Sequence, residues 1–268
     1  MKEVRSLDRG LALMEVLARD GARSLAQLHG ETGLPKSTIR RLLATLQARR
    51  IVRRSLWDGQ YRINIVLPVT TGDPLPPEVA EAVDIVLAVA MDLTRAVGWP
   101  SDIHIPDGIA MRIVESTRSV SPFQLYRGEV NRRVPLFASA AGLSHLAHLR
   151  PAQVAALARL SDTEPRWSPR RFGLTPAGLD AELARVRARG YATRLTGYVG
   201  EGAHSDDLHA IAVPLWRNAD ARGRPWGALT LLWPRAHRPV ASFAAEFLAP
   251  LQAAAARASA ELAGPGAP

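Results

Sequence analysis

Cationic and hydroxyl side chains share one face of a short segment near the start of the chain. Between residues 36 and 48, leucine and isoleucine recur at the spacing of one helix face, and the opposite face carries Ser37 and Arg41. Donors at the N-terminal end of a helix can reach base edges in a DNA major groove, while long cations beside them hold phosphates. We therefore interpret Ser37 and Arg41 as candidate base contacts. The full candidate set on this helix is Lys36, Ser37, Thr38, Arg40 and Arg41.

A basic hairpin is predicted directly after this helix. Asp58-Gly59 lies between the strand-like runs 51–55 and 60–63, and an Asp-Gly pair in that position is a strong hairpin signal. Arginines on the hairpin would hold phosphates or lie along the minor groove, and Trp57 at the tip is expected to pack against the hairpin rather than insert into DNA. A solvated basic face is the ordinary alternative for such charges. The arginines concerned are Arg53, Arg54 and Arg62.

The elements before the candidate helix complete a known arrangement. Residues 6–19 have the apolar period of a helix that Gly21 closes, and Ser24 is a candidate N-cap for a second helix. Gly33 lies in a tight turn, and Pro35 suits the first position of the third helix because no backbone donor is needed there. Helix, helix, turn, helix, hairpin is the order of a winged helix-turn-helix. On the first helix, one face carries Leu7, Leu11, Met14 and Leu17; on the second, Leu25 and Leu28 are expected to face inward.

Positive charge is concentrated in the same part of the chain. The 268 residues carry a net charge of +9. Residues 1–66 hold thirteen Lys and Arg against six Asp and Glu, a net of +7, whereas residues 67–268 hold twenty-one against nineteen, a net of +2. A localised positive surface suits a polyphosphate partner. Because cysteine is absent, disulfides, Cys-ligated zinc and a Cys nucleophile are excluded. No apolar run reaches the length of a membrane span and no signal core follows Met1, so a cytoplasmic protein is expected.

A larger domain is predicted after a proline-rich boundary. Four prolines and Gly72 within residues 67–77 exclude a continuous helix there, so we expect a linker between a domain at 1–66 and another at 78–263. Strand-like runs mixed with helical stretches indicate an α+β domain with a mainly antiparallel sheet. Strands are expected at 101–105, 109–115, 123–126, 209–216 and 226–233. Helices are expected at 78–97, 139–149, 151–160, 177–190 and 240–263.

Taken together, these motifs resemble the IclR family of bacterial transcriptional regulators. The resemblance rests on residues 6–11, 33–43, 127–142, 189–192 and 211–214, together with the Asp58-Gly59 hairpin. Within the family, Trp99-Pro100-Ser101-Asp102 and residues 142–147 look most like the MhpR-like branch, which regulates aromatic-acid catabolism. The chain departs from the family in the prolines of its linker and in residues 194–203, where family members tend to carry acidic side chains.

The resemblance implies a GAF-like effector-binding domain with a small-molecule cup on one side of its sheet. Backbone N–H groups at a helix start beside Ser139 would suit an anion, and the small Ala140 and Ala141 would leave room for a ring. The implied effector is an aromatic or other small carboxylate that controls a catabolic operon. Ordinary core and capping roles are the alternative for these positions. The matching positions are Ser139, Ala140, Ala141, His209, Ile211, Thr230 and Leu232.

The expected partner is a double-stranded DNA operator. One winged domain buries too little surface for tight binding, so a palindromic operator read by a homodimer is expected, and the resemblance adds homotetramers. An enzyme is the first alternative, but residues 204–207 (His-Ser-Asp-Asp) are typical of a polar loop and His145 and His148 are only a weak pair of metal ligands. No nucleotide-binding or catalytic motif is present. No cofactor, metal or catalytic residue is therefore assigned. A nucleoid protein without sequence choice is disfavoured by the near-neutral C-terminal domain.

Overall fold

The structure is a computed structural model that describes residues 4–64, 75–123, 130–200, 206–217 and 223–264. The chain divides into two compact units, Met1–Thr70 and Thr71–Pro268. Residues 67–74 of the expected linker lie outside the described residues, and the first helix of the second unit begins at Pro77.

The first unit is a three-helix bundle followed by a two-stranded hairpin. The strands are antiparallel, with Arg53 opposite Arg62. The hydrophobic core lies between the three helices and the first strand, and its fully buried members include Leu13, Leu28 and Ile39. This is the predicted winged arrangement. Its elements are α1 (Arg5–Asp20), α2 (Leu25–Thr32), α3 (Lys36–Ala48), β1 (Val52–Arg54) and β2 (Tyr61–Ile63).

Local signals begin and end these helices. The Ser24 side chain accepts a hydrogen bond from the backbone N–H of Gln27, and the Gln27 side chain accepts one from the N–H of Ser24, which is a complete capping box. The predicted N-cap is thus confirmed. Gly33 follows α2 with φ +67°, a left-handed conformation that favours glycine and turns the chain into α3. Pro35 is the N-cap of α3 rather than its first helical residue.

The apolar stripe of α1 is only partly buried. Met14 and Leu17 face the core as predicted, but Leu7 and Leu11 are 62% and 47% exposed. The apolar face read from the sequence is therefore buried over only part of its length. The buried residues of α1 all lie in its C-terminal half, where Leu13 and Val16 are also part of the core.

The second unit contains one six-stranded sheet between two sets of helices. All neighbouring strands are antiparallel, and their order across the sheet is β5-β4-β3-β8-β7-β6. The predicted α+β class with an antiparallel sheet is confirmed. The strands are β3 (Ser101–Asp107), β4 (Ala110–Ser116), β5 (Arg133–Pro135), β6 (Ala192–Thr193), β7 (Leu208–Leu215) and β8 (Gly227–Pro234). The helices are α4 (Pro77–Val97), α5 (Ala140–Leu146), α6 (Pro151–Ser161), α7 (Pro176–Arg189) and α8 (Val240–Ala263), with a 3₁₀ turn at Pro169–Phe172.

Each face of the sheet has its own hydrophobic core. One core packs α4 and α8 against alternate residues of β7 and β8, including Ile211 and Leu231. The other packs α5 and α7 against the intervening residues, including Ala212 and Leu232. Both faces of the sheet are therefore covered, and we call them the α4/α8 face and the α5 face. The predicted strand at 123–126 lies mostly outside the described residues, and its first residue, Phe123, is in a bend.

Candidate nucleic-acid interface and ligand pocket

The solvent-facing side of α3 carries the residues predicted to contact DNA. Ile39 and Leu43 are buried in the core, so the opposite side of the helix is fixed toward solvent. Lys36, Ser37, Arg40 and Arg41 are exposed there, and Thr38 is half-buried. The helix therefore presents hydrogen-bond donors and cations along one accessible face.

The hairpin arginines differ in what holds them. Arg62 forms a bidentate pair with the Asp58 carboxylate at 3.0 and 2.5 Å, and this bonding keeps the pKa of Asp58 well below its usual range. The Nε of Arg54 donates to the Gly59 carbonyl at 2.9 Å. The side chains of Arg54 and Arg62 therefore stabilise the turn of the hairpin. Arg53 is exposed, and phosphate contact stays its predicted role.

Trp57 does not pack against the hairpin. Its exposed fraction is 95%, and that of the neighbouring Leu56 is 104%. The expectation of a packed tryptophan is wrong because the turn from Ser55 to Gly59 directs both side chains away from the strands, whose inner side already contacts the three-helix core.

In the second unit, the start of α5 lies deep in the core. Ala140 and Ala141 are buried in the α5-face cluster. The Ser139 hydroxyl donates to the Pro135 carbonyl at 2.6 Å and accepts from the Gly142 N–H at 3.1 Å. Its hydrogen bonds are therefore made within the protein, and it acts as the N-cap of a helix of only seven residues. This geometry weakens the expected role of Ser139 as a direct effector contact.

The strand positions predicted to line the pocket do not share a face. Ala212 pairs directly with Thr230, and Ala210 with Leu232, so these four side chains are on the α5 face. His209 and Ile211 alternate with them and lie on the α4/α8 face, where Ile211 is part of the core. The assignment of His209 and Ile211 to the same pocket as Thr230 and Leu232 is corrected accordingly. The residues of β7 that face α5 are Ala210 and Ala212.

A cluster of polar side chains occupies the α5 face of β3 and its neighbours. We call it the sheet-face polar cluster, and its members are Asp102, His104, Ser116, Arg118 and Thr230. Arg118 Nη2 donates to Asp102 Oδ2 at 2.7 Å, and the Ser116 hydroxyl donates to Asp102 Oδ1 at 2.7 Å. Thr230 Oγ1 donates to the Asp102 carbonyl at 3.1 Å and accepts from the Asp102 N–H at 3.3 Å. Burial raises the pKa of Asp102, but the charge and hydrogen bonds of Arg118 outweigh it, and the pKa lies below its usual value.

His104 is the member of this cluster with an unsatisfied atom. It is opposite Ala228 in the sheet and so faces α5, it is 5% exposed, and its Nδ1 has no hydrogen-bond partner among the described residues. The pKa of His104 is lowered to about 4, mainly by burial; Asp102 opposes this shift, and the charges of Arg118 and Arg194 contribute to it. His104 is therefore neutral at pH 7 and can donate or accept one hydrogen bond. Nothing in the sequence marked it apart from other histidines.

The 193–208 segment contributes a second charge to this region. Arg194 is buried by nine-tenths and pairs with Asp206 at 2.6 Å, and it also donates to the Leu208 carbonyl at 3.2 Å. The sequence has no acidic side chain directly after residues 189–192. In the fold, Asp206 supplies an acidic side chain beside this segment. Residues 124–129 and 201–205, which include the Arg127-Gly128 part of the resemblance, lie outside the described residues.

His145 and His148 do not form part of a metal site in the described parts of the chain, where no cluster of three or more His, Cys, Asp or Glu side chains could hold a metal ion. His145 is buried on α5, and burial lowers its pKa to about 4. His148 stacks edge-on against Trp216, with ring centroids 5.2 Å apart. Within the described ranges, no helix is long and apolar enough to cross a membrane.

Comparison with known proteins covers both units. Residues 6–55 match the IclR helix-turn-helix domain, and residues 79–260 match the bacterial transcriptional regulator IclR C-terminal domain. The transcriptional repressor IclR of Escherichia coli K12 is 25% identical over 235 residues, which is 87% of this chain and 81% of that protein.

Solved structures share the fold. A transcriptional regulator from Rhodococcus sp. RHA1 superposes with a TM-score of 0.61 at 22% identity, covering 97% of this chain and 99% of the other. An IclR homolog from Microbacterium hydrocarbonoxydans, solved as a complex with 4-hydroxybenzoate, superposes with a TM-score of 0.54 at 20% identity, covering 96% and 98%. Both likenesses span the two units described above.

Proposed function

The chain belongs to the IclR family of bacterial transcriptional regulators, and from that premise we propose that it binds a palindromic operator as a symmetric oligomer and is controlled by a small aromatic carboxylate. It is a DNA-binding regulator and not an enzyme. In this proposal the first unit reads the operator of a catabolic operon, and the second unit binds the effector.

Operator reading is carried by the exposed face of α3. Arg41 lies on that face near the start of the helix with Ser37 one turn before it, so both can enter a major groove while Ile39 and Leu43 hold the helix to the bundle. Arginine is the commonest reader of guanine because its guanidinium donates two parallel hydrogen bonds. Lys36 and Arg40 flank it for phosphate contact.

A symmetric oligomer follows from the size of this unit. A single winged domain buries too little surface for tight binding, and most soluble oligomers have twofold symmetry. Two copies related by such an axis would read two half-sites about one helical turn apart, which makes the operator palindromic.

The effector pocket is proposed on the α5 face of the sheet. Small side chains at Ala140, Ala141, Ala210 and Ala212 limit the bulk of this region, and the sheet-face polar cluster borders it on β3. The unsatisfied Nδ1 of His104 supports a ligand here, because buried polar atoms of folded proteins nearly always have a partner. Leu232 and Thr230 face the same region from β8.

The aromatic carboxylate is supported by two features of this pocket. The buried side chains of this region are mostly alanine, leucine and valine, which suits a ring better than a sugar. The charges of Arg118 and Arg194 both act on His104, so a carboxylate near this histidine would share these cations with their present partners, Asp102 and Asp206. A family relative of similar fold was solved with 4-hydroxybenzoate, which makes that compound a natural first probe. A short aliphatic acid such as glyoxylate is the second candidate, because it would use the same polar groups without the ring.

The test has two stages. The full-length protein is first used to enrich duplexes from a random-sequence DNA pool, and an inverted repeat among the enriched duplexes is expected. Enrichment of unrelated sequences would contradict sequence-specific reading. In the second stage, 4-hydroxybenzoate, phenylpropionates, cinnamates and glyoxylate are titrated by calorimetry into wild type and the Ala140→Leu variant. Binding that Ala140→Leu abolishes, with duplex affinity retained, supports the pocket; binding only of uncharged compounds would exclude a carboxylate.

A further inference from the structure

The tip of the hairpin exposes two large apolar side chains. Leu56 and Trp57 have the highest exposed fractions of the large hydrophobic residues that the structure describes, 104% and 95%, and the next value is 63% at Val4. A fully exposed tryptophan and leucine side by side form an apolar surface that water solvates poorly. Adjacent exposed residues of this kind mark a place where a partner binds more often than scattered single ones do.

The backbone under these side chains is held firmly. The Gly59 N–H donates to the Ser55 carbonyl at 3.0 Å, and the Ser55 N–H donates to the Gln60 carbonyl at 2.8 Å. The Asp58 side chain accepts from the Gln60 N–H at 3.0 Å and from both ends of the Arg62 guanidinium. Because the turn is hydrogen-bonded on both sides, Leu56 and Trp57 project from an ordered backbone, and little backbone entropy would be lost when they bind.

The charges around the tip favour a polyanion. Asp58 is the one acidic residue in positions 51–64, and its charge is paired with Arg62 at 2.5 Å. Arg53 and Arg54 remain as cations on the neighbouring strand, and Arg53 is exposed. The tip is thus apolar and is surrounded by positively charged side chains. Proteins that insert side chains between base pairs from the minor groove have this combination.

We propose that Leu56 and Trp57 form a wedge that enters the minor groove beside the α3 contact and partly unstacks one base step. The wedge rests on the proposed operator binding. It adds a preference for a deformable pyrimidine–purine step at a position that α3 does not touch, since such steps are the easiest to open. Trp57 contributes the stacking surface, Leu56 fills the adjoining space, and Arg53 holds the phosphate next to the opened step.

The experiment uses full-length protein and a duplex enriched from a random pool by the wild type. 2-Aminopurine is placed in turn at each step flanking the α3 half-site, because its fluorescence rises when the base is unstacked. The variants are Trp57→Ala, Leu56→Ser and the conservative Trp57→Phe. The control is Leu160→Ser, which removes an exposed leucine from α6 in the other unit.

We expect wild type to raise the 2-aminopurine signal at one step, and Trp57→Ala to abolish that rise and weaken binding about tenfold. Trp57→Phe should keep most of both effects, and Leu160→Ser should change neither. The salt dependence of binding should stay the same in Trp57→Ala, because an apolar wedge releases no counterions. Unchanged affinity and unchanged fluorescence in Trp57→Ala would overturn the wedge while operator binding stands. If wild type enriches no duplex at all, the proposed operator binding fails, and the wedge fails with it.

Discussion

Arg41 and Arg118 carry the same side chain into opposite surroundings. Arg41 is exposed on α3, so its five donors stay hydrated until a partner replaces the water. Arg118 is 10% exposed and pairs with Asp102, which is 1% exposed. A buried charge of this kind is tolerated only with a close counter-charge and hydrogen bonds. Removing one partner of the Arg118–Asp102 pair would leave the other uncompensated, whereas removing Arg41 leaves no buried charge behind.

Replacing Arg41 by alanine should therefore weaken operator binding without affecting folding. We expect a loss of about 1–3 kcal/mol for the enriched duplex and a relaxed preference at one base position. Competition binding measures this loss, and Arg159→Ala, an exposed arginine on α6, is the matched control. An Arg41→Ala variant with wild-type sequence preference would show that Arg41 does not read a base.

Arg53 should act through phosphate alone. Arg53→Ala is expected to weaken binding to all duplexes similarly and to reduce the slope of log affinity against log salt by about 1. The same substitution at Arg62 should disturb the turn through loss of the Asp58 pair, which makes it a less specific probe. A salt slope that stays at the wild-type value would remove Arg53 from the phosphate contacts.

His104 and His145 should make stability depend on pH. Burial lowers both pKa values to about 4, against 6.5 for an ordinary histidine. His104 also faces Asp102, Arg118 and Arg194, and His145 faces Arg224 and His148. The unfolded chain therefore binds protons between pH 6.5 and 4 that the folded chain does not, so stability is full above pH 6.5 and falls as the pH approaches 4.

Urea unfolding at pH 7 and pH 5 measures this effect. The expected loss is roughly 2 kcal/mol for each histidine at pH 5, and His145→Gln should remove its share of the difference. Equal pH dependence in His145→Gln and wild type would mean that His145 is accessible to protons in the folded protein.

At the scale of elements, hydrophobic periodicity predicted where the helices and strands lie, but not which face of the sheet each side chain of β7 occupies. The helices at 78–97 and 240–263 and the strands at 209–216 and 226–233 correspond to α4, α8, β7 and β8 within one residue. Period-two alternation separates residues 209 and 211 from 210 and 212, but both sets are apolar enough to be buried because helices cover both sheet faces. The pairing of Ala212 with Thr230 in the structure shows which residues of β7 share a sheet face with Thr230.

Two short strands of the second unit, β5 and β6, were not predicted from the sequence. β5 and β6 have three and two residues, too few for any period to be recognised, and they are strands because β4 and β7 pair with them. The exposure of Trp57 was missed for a similar reason. The turn that carries this side chain is held by the Asp58–Arg62 pair and by backbone hydrogen bonds, which spacing alone does not reveal.

Gly142 should be irreplaceable in α5. A Cβ at this position would lie 2.1 Å from the Leu136 carbonyl oxygen and 2.7 Å from its Cα, which is backbone that cannot move aside cheaply. Helix propensity alone would make Gly142→Ala stabilising, but the clash should instead cost at least about 3 kcal/mol.

Chemical denaturation of the full chain measures this cost. Ala155→Gly on the exposed side of α6 is the calibration, with an expected loss of about 1 kcal/mol. A Gly142→Ala variant as stable as wild type would mean that α5 can shift away from the segment at Leu136 without loss.

For the molecule as a whole, net positive charge and hydrophobic core are divided unequally between the two units. Residues 1–66 hold a net charge of +7 and the rest +2, so the attraction for DNA is carried by a unit whose core is small. The second unit has two cores and a nearly neutral composition. This division is consistent with one unit that binds DNA and one that binds a small molecule, and it makes their effects separable by substitution.

If effector binding and operator binding are coupled, each must change the affinity for the other by the same factor. An effector that changes operator affinity by some factor requires the operator to change effector affinity by the same factor, because both routes join the same four states. We expect calorimetric titration of 4-hydroxybenzoate into the full-length protein to give affinities with and without the enriched duplex that differ by about 5- to 150-fold. The ratio should equal the shift in duplex affinity caused by saturating effector.

Arg41→Ala should lower duplex affinity and leave binding of the effector alone unchanged, since α3 belongs to the other compact unit. Effector binding that is identical with and without duplex would show that the two units bind their ligands independently, and control of operator affinity by this ligand would then be excluded.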